Sequence, residues 1–313
     1  MSTIRAVTVD PSAPGHLAVT TVDAPMALPG EALVRVHALS LNRGEVRAAQ
    51  NARAGTRPGW DIAGVVEQEA ADGIGPKAGQ RVVGILRTSA WAELLALPSA
   101  NVAVLPDSVS FAQASTLPVA GLTALFALDR ADGLTQRNVL VTGASGGVGH
   151  FAVQIAVNGG ATVTGLVRQE KHVHAVKDAG AHIVVADETG EAARASGPYN
   201  LVLESVGGQV LGNAISMLAP SGHIVCYGAS AGGPMTLDSA LVLRTRLTMT
   251  GLAVFTEINR ETASVGLGRL ARMIDAGTLR PLIAVEAPWS EIGNVAQQLL
   301  DRAYPGKAVL HVE

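Results

Sequence analysis

The stretch Val139–Ala156, "VLVTGASGGVGHFAVQIA", decides the architecture of this 313-residue chain. Apolar, β-branched residues read as a buried strand. Glycines at 143, 146, 147 and 149 then break it, and a helical run follows at once. Within it Gly147-Val148-Gly149-His150-Phe151-Ala152 fits G-x-G-x-x-A, the spacing a dinucleotide's pyrophosphate requires. One glycine makes the tight turn, the next lets the backbone approach the phosphates, and a small third residue lets helix pack on strand. The helix N-terminus offers unpaired N–H groups and a positive dipole end. Ser145, Gly146, Gly147, Val148 and Gly149 are therefore the expected phosphate contacts.

Downstream of this turn, strand and helix alternate. "TVTGLV" (162–167), "HIVVAD" (182–187), "NLVLES" (200–205) and "GHIVCYG" (222–228) are continuous apolar strands, with helix "EKHVHAVKDAG" (170–180) between the first two. Such runs describe a parallel sheet covered on both faces. Upstream, "EALVRVHALSL" (31–41), "GVVEQE" (64–69), "QRVVGI" (80–85) and "VAVLP" (102–106) are short strands broken by Gly and Pro, which suggests a barrel-like β-domain. Residues 111–128 read as helix that Pro118 must interrupt. Residues 257–302 read as helical again, and "KAVLHVE" (307–313) as a final strand.

Composition narrows the function. The chain is 48% hydrophobic and 16% charged with 35 glycines, values of a turn-rich globular protein. A net charge of −3 disfavours nucleic acid as a partner. A single cysteine, Cys226, can build neither a disulfide nor a thiolate zinc site, and on its apolar strand it reads as an inert core thiol. No leader-like or membrane-spanning apolar run is present, so a cytoplasmic location and no membrane partner are expected.

The end of the second strand selects the cofactor. NAD-specific sites place an acid there for the ribose 2′-hydroxyl. Here Val167 is followed by Arg168, with Lys171 a turn later, and a guanidinium suits a 2′-phosphate instead. NADP(H) is expected over NAD.

These segments together resemble the zinc-free, quinone oxidoreductase-like branch of the medium-chain dehydrogenase/reductase superfamily. The markers are "LSLNRGEVR" (39–47), "PGWDIAGVVE" (58–67), "SAWAELLALP" (89–98), "LPDSVSFAQASTLPVAGLTAL" (105–125), "TGASGGVGHFAVQIA" (142–156), "LESVGG" (203–208) and "PGKAVL" (305–310). The resemblance implies an α/β protein with a GroES-like β-barrel catalytic domain, residues 1–118 and 256–313. A Rossmann doubly wound parallel sheet, residues 119–255, is inserted into it, and substrate binds in the cleft between. It implies hydride transfer from NADPH to a quinone or α,β-unsaturated carbonyl, with Asn42 as donor to the substrate oxygen and Thr123 on the nicotinamide side. Asn42 as a turn residue, and Thr123 as a helix hydroxyl bonded to its own backbone, are the plainer alternatives. Val206, Gly228 and Leu252 complete the implied cofactor contacts, and a homodimer through "LTMTGL" (247–252) is expected. An enoyl-thioester reductase and a catalytically quiet NADPH-binding protein are the competing functions, although "AAQNARAG" (48–55) lacks the tyrosine of the former.

Zinc-dependent relatives carry cysteine near position 42, Gly-His-Glu where this chain has Gly59-Trp60-Asp61, and a second cysteine near Val119 or Ala120. With those replaced, no catalytic zinc is expected. Two departures touch the cofactor: the family's 2′-phosphate lysine falls on His172, and its stacking tyrosine on Asp187, which repels phosphate unless turned away. Asp61 either pairs with a cation such as Arg43 or Arg47 or caps its local turn, and it stays among the catalytic candidates. Trp60 fills the space of a metal or walls the pocket. His172 and His174 point to different faces of their helix, and His150 reads as exposed.

Overall fold

The computed structural model describes residues 2–131 and 133–313. The chain begins with β1 (Thr3–Val9), β2 (Leu17–Asp23), β3 (Glu31–Ser40), α1 (Arg43–Ala49), β4 (Asp61–Gln68), β5 (Arg81–Ile85), β6 (Leu94–Pro98) and β7 (Val102–Val104). Helices α2 (Phe111–Ser115) and α3 (Leu122–Leu128) follow, joined by one wide π turn, Leu117–Gly121. Next come β8 (Asn138–Thr142), α4 (Gly147–Asn158), β9 (Thr162–Val167), α5 (Val173–Asp178), β10 (Ile183–Ala186), β11 (Tyr199–Glu204), α6 (Gly208–Ser216), β12 (Leu218–Cys226), α7 (Ser239–Thr245) and β13 (Thr248–Gly251). The remainder is α8 (Val254–Glu257), α9 (Ala263–Asp275), β14 (Ile283–Pro288), α10 (Ile292–Leu300) and β15 (Lys307–His311). The chain divides into two units, 1–122 with 258–313, and 123–257.

The first unit is a GroES-like β-domain. Its main sheet runs β14-β15-β3-β4-β5-β7, with β6 also on β3 and a separate β1–β2 ribbon. Pairing is antiparallel except between β14 and β15. Their inward residues, among them Val34, Val36, Ile62, Trp91 and Trp289, share one core, so both ends of the sequence close the same domain.

The second unit is a six-stranded, all-parallel sheet ordered β10-β9-β8-β11-β12-β13. Numbered along the unit this is 3-2-1-4-5-6, the doubly wound Rossmann order, which reverses between β8 and β11 and leaves its crevice at their carboxyl ends.

One expectation changes and another takes a definite form. Residues 257–302 are not helical throughout: β14 lies within them, and its alternating "IAVEAP" joins the sheet through β15. Pro118 interrupts the helix as expected, between Ser115 at the end of α2 and Leu122 at the start of α3. The missing proline N–H is absorbed by a π turn in which the Leu122 N–H reaches back to Leu117.

Candidate active site

In the second unit the site is built at the carboxyl edge of the sheet. β8 ends at Thr142, and Gly143 takes the left-handed φ of 59° that turns the chain toward α4. A methyl on Gly149 would stand 2.4 Å from the Gly143 carbonyl oxygen and 2.7 Å from Ala144 Cα, so only glycine lets α4 start so close to the strand. Gly147 to Gly149 thus present the first N–H groups of a 12-residue helix, while the Gly146 N–H closes the turn onto the Gly143 carbonyl (2.9 Å). Across the switch point Glu204 is wholly buried and ties the neighbouring strand tips together. Its carboxyl accepts from the Val206 N–H (2.7 Å), the Gly207 N–H (3.0 Å) and Thr142 Oγ1 (3.2 Å). Burial raises its pKa.

Val206, Gly228 and Leu252 lie just beyond β11, β12 and β13, on the same edge. The Ala231 N–H donates to the Val206 carbonyl (2.8 Å), which folds the segment after β12 over this turn. Beyond β9, Arg168 and Lys171 are exposed and gather with His172. The His172 imidazole titrates below its usual range because of burial, then the charges of Lys171 and Arg168. Asp187 is turned into its own loop. It accepts from the Ala192 N–H (3.0 Å), the Thr189 N–H (3.3 Å) and Thr189 Oγ1 (3.1 Å), and these bonds hold it below the usual carboxylate range. His150, expected at the surface, is 7% exposed, because the second turn of α4 already lies against the sheet. The Thr123 side chain is buried, and no hydrogen bond engages it among the described residues; the bond to its own backbone is not made.

The first unit holds a buried polar cluster centred on Asp61. Asp61 is 0% exposed at the start of β4, and both its oxygens are occupied. Oδ2 accepts from Asn42 Nδ2 (2.7 Å), Ser40 Oγ (2.8 Å) and Lys307 Nζ (3.1 Å); Oδ1 accepts from the Val119 N–H (3.0 Å) inside the π turn. Its cation is therefore Lys307, neither Arg43 nor Arg47. Arg43 Nη2 reaches the Leu300 carbonyl at 3.4 Å, and Arg47 is exposed. Lys307, 4% exposed at the start of β15, also donates to Leu41 O (2.9 Å) and Asn42 Oδ1 (2.6 Å), three acceptors for the three N–H groups of an ammonium. Sequence reading missed this lysine, whose only local signal is a cation opening an apolar strand.

The expected free donor at Asn42 is not free. Its Nδ2 serves Asp61 and, at 2.9 Å, Glu45 Oε1, which also accepts the Asn42 N–H (2.7 Å) in a capping box on α1. Glu45 is buried, and its Oε2 has no hydrogen-bond partner among the described residues. Burial and the adjacent Asp61 charge push its pKa well above the usual value, so a protonated Glu45 leaves the cluster neutral. Above the ordinary glutamate range the unfolded chain releases this proton before the folded chain does, so stability falls as pH rises toward the folded value. Glu45→Gln mimics the protonated acid. It should melt above wild type near pH 8 and with it near pH 4; a variant that melts lower at pH 8 would contradict the protonated state.

Trp60 lies across Gly44 of α1, where a methyl would stand 3.0 Å from the indole, and so walls the surface beside Asn42. Among the described residues no three His, Cys, Asp or Glu side chains are placed to hold a metal ion. No helix there is long and apolar enough to cross a membrane.

A GroES-like barrel carrying a Rossmann sheet with a glycine turn at its switch point is the architecture of a dinucleotide-dependent dehydrogenase or reductase. Residues 28–107 match the alcohol dehydrogenase GroES-like domain, and residues 147–268 the zinc-binding dehydrogenase domain. The chain is 27% identical to quinone oxidoreductase-like protein 2 of Bos taurus, over 91% of this chain and 86% of that protein. It is 34% identical to the chloroplastic quinone-oxidoreductase QR1 of Triphysaria versicolor, over 65% of this chain and 67% of that one. The solved structure of the quinone oxidoreductase from Coxiella burnetii superposes with a TM-score of 0.85 at 25% identity, covering 100% of both chains. The chain belongs to the medium-chain dehydrogenase/reductase superfamily of NAD(P)-dependent oxidoreductases, in its quinone oxidoreductase-like branch.

Proposed function

We propose that the chain is an NADPH-dependent reductase that delivers hydride to a quinone or an α,β-unsaturated carbonyl without zinc. The observation that carries this reading is the Asp61–Lys307 pair, because an ammonium occupies the carboxylate that stands at the glutamate of the zinc-dependent relatives' Gly-His-Glu. A cation 3.1 Å from Oδ2 opposes a second cation there, and the surrounding amide and hydroxyl donors are poor zinc ligands. Without a Lewis acid, an activated double bond is a better acceptor than an alcohol is a donor.

A bound nicotinamide supplies the hydride. The N–H groups of Gly147 to Gly149 hold the pyrophosphate, and Arg168 with Lys171 hold the 2′-phosphate. The Thr123 hydroxyl is available to orient the nicotinamide or the substrate carbonyl. Asn42 and Asp61 act as a fixed polar wall, with Asn42 locked by Lys307 and Glu45. Solvent supplies the proton that completes reduction. The unpaired thiol Cys226 suits a reducing compartment such as the cytoplasm. Self-association would use β13, an edge strand that carries the exposed Met249, with Leu243 exposed on α7, and sedimentation of the intact chain should find a dimer.

The test is NADPH oxidation with a panel of quinones, enones and acyl thioesters in the presence of a chelator. Turnover should persist with chelator and fall at least tenfold with NADH; Arg168→Ala should remove most of that preference through KM for NADPH. Tight NADPH binding with no panel member reduced would defeat the enzyme reading.

A further inference from the structure

The segments around Asn42 and Trp60 are rich in arginine in a chain whose net charge is −3. Segments 42–60 and 86–90 hold five arginines, at 43, 47, 53, 57 and 87, against one acid, Glu45, which is buried and favours its neutral form. Backbone pairing brings the two segments together: Ser89 N–H to Arg57 O (3.1 Å), Ala90 N–H to Gly59 O (3.1 Å) and Leu86 N–H to Trp60 O (3.0 Å). Thr88 Oγ1 also donates to the Arg57 carbonyl at 2.7 Å.

Arg57 stands out within this group. It is partly buried, its Nε is enclosed without an acceptor, and its guanidinium has no carboxylate or carbonyl partner among the described residues. Burial holds its pKa below the usual arginine value. Partly desolvated arginines are normally paired, because removing water from a charge is costly. A guanidinium that meets no anion within its own domain is suited to one arriving with a ligand, and its planar fork matches carboxylate and phosphate oxygens. Asp61 is four positions after Arg57, a backbone span of at most about 14 Å. Trp60, whose indole lies against Gly44 of α1, stands three positions after Arg57 on the same segment.

We propose that Arg57 is a specificity-determining residue that binds an anionic group of the substrate, so that the preferred acceptor is a carboxylate- or phosphate-bearing unsaturated carbonyl rather than a neutral quinone. This rests on the reductase reading for its chemistry, but the anion site itself does not.

The experiment therefore has two arms on the full-length chain. In the first, 4-oxo-2-pentenoate is compared with its methyl ester, and crotonyl-coenzyme A with crotonaldehyde, by NADPH oxidation. Wild type should favour one of the anionic members at least tenfold in kcat/KM, and the pair that shows it separates a carboxylate from a phosphate source. Arg57→Met should bring that ratio to about one, mainly through KM for the anion. Arg57→Lys should keep part of it, and the exposed control Arg53→Gln should keep all of it. In the second arm, succinate and inorganic phosphate are added without substrate. One of them should raise the melting temperature of wild type more than that of Arg57→Met and, if that variant folds poorly, of Arg57→Gln, any phosphate shift from the dinucleotide turn being common to all three. Equal turnover of charged and neutral members, or equal melting shifts in wild type and variants, would overturn the proposal. A wild-type shift that the Arg57 variants lose, without any turnover, would keep the anion site and defeat the reductase reading instead.

Discussion

Replacing Lys307 by Met is expected to destabilise the barrel unit by about 3–5 kcal/mol, the usual cost of leaving a buried charge without its partner. For a unit of this size that is a fall in melting temperature of roughly 10 °C. The cause is local. Asp61 is wholly buried, and Asn42 and Leu41 lose a donor at the same time. The double variant Lys307→Met with Asp61→Asn removes both charges and should recover much of the loss, which a double-mutant cycle followed by calorimetry reads directly. A single variant that melts within about 2 °C of wild type would show that the pair carries little energy.

The second large effect is at Gly149. Gly149→Ala puts a methyl among backbone atoms of the turn, 2.4 Å from Gly143 O, and backbone cannot move aside as a flexible side chain can. The turn or α4 must shift, and the N–H groups proposed to hold the pyrophosphate shift with it. NADPH affinity should weaken at least about 100-fold, near 2.7 kcal/mol, in fluorescence titration. Gly146→Ala, whose methyl would stand 3.3 Å from the same oxygen, should lose far less. Equal losses in the two variants would mean that close approach at Gly149 is not what the glycine provides.

Much of the second unit was legible because its signals are local. Glycines 143 and 149 are required by one turn's geometry, and apolar strands separated by helices predict a parallel sheet without knowledge of partners. The polar cluster was half legible: "GWD" marks a buried acid, but nothing near it names the cation. Lys307 lies 246 positions away, and a pairing across that distance leaves no periodic trace. The same limit hid β14, whose six residues become a strand only by lying against β15. At Asn42 the residue type suggested a donor, but its hydrogens were already committed to two carboxylates, one of them three residues away. The π turn was missed because proline reads as a breaker, whereas the buried Asp61 carboxylate accepts a turn N–H that a regular helix would have bonded elsewhere.

The separation of Asp61 from Lys307 also orders events during synthesis. The strand bearing the carboxylate leaves the ribosome early, followed by the entire Rossmann insertion, and only then by the lysine. The parallel sheet can complete itself on the way. The barrel meanwhile lacks both β15 and the charge that makes Asp61 tolerable in its interior. For that interval the growing chain holds one finished domain and one that must wait, and truncation before residue 307 should leave the first intact and the second open to proteolysis.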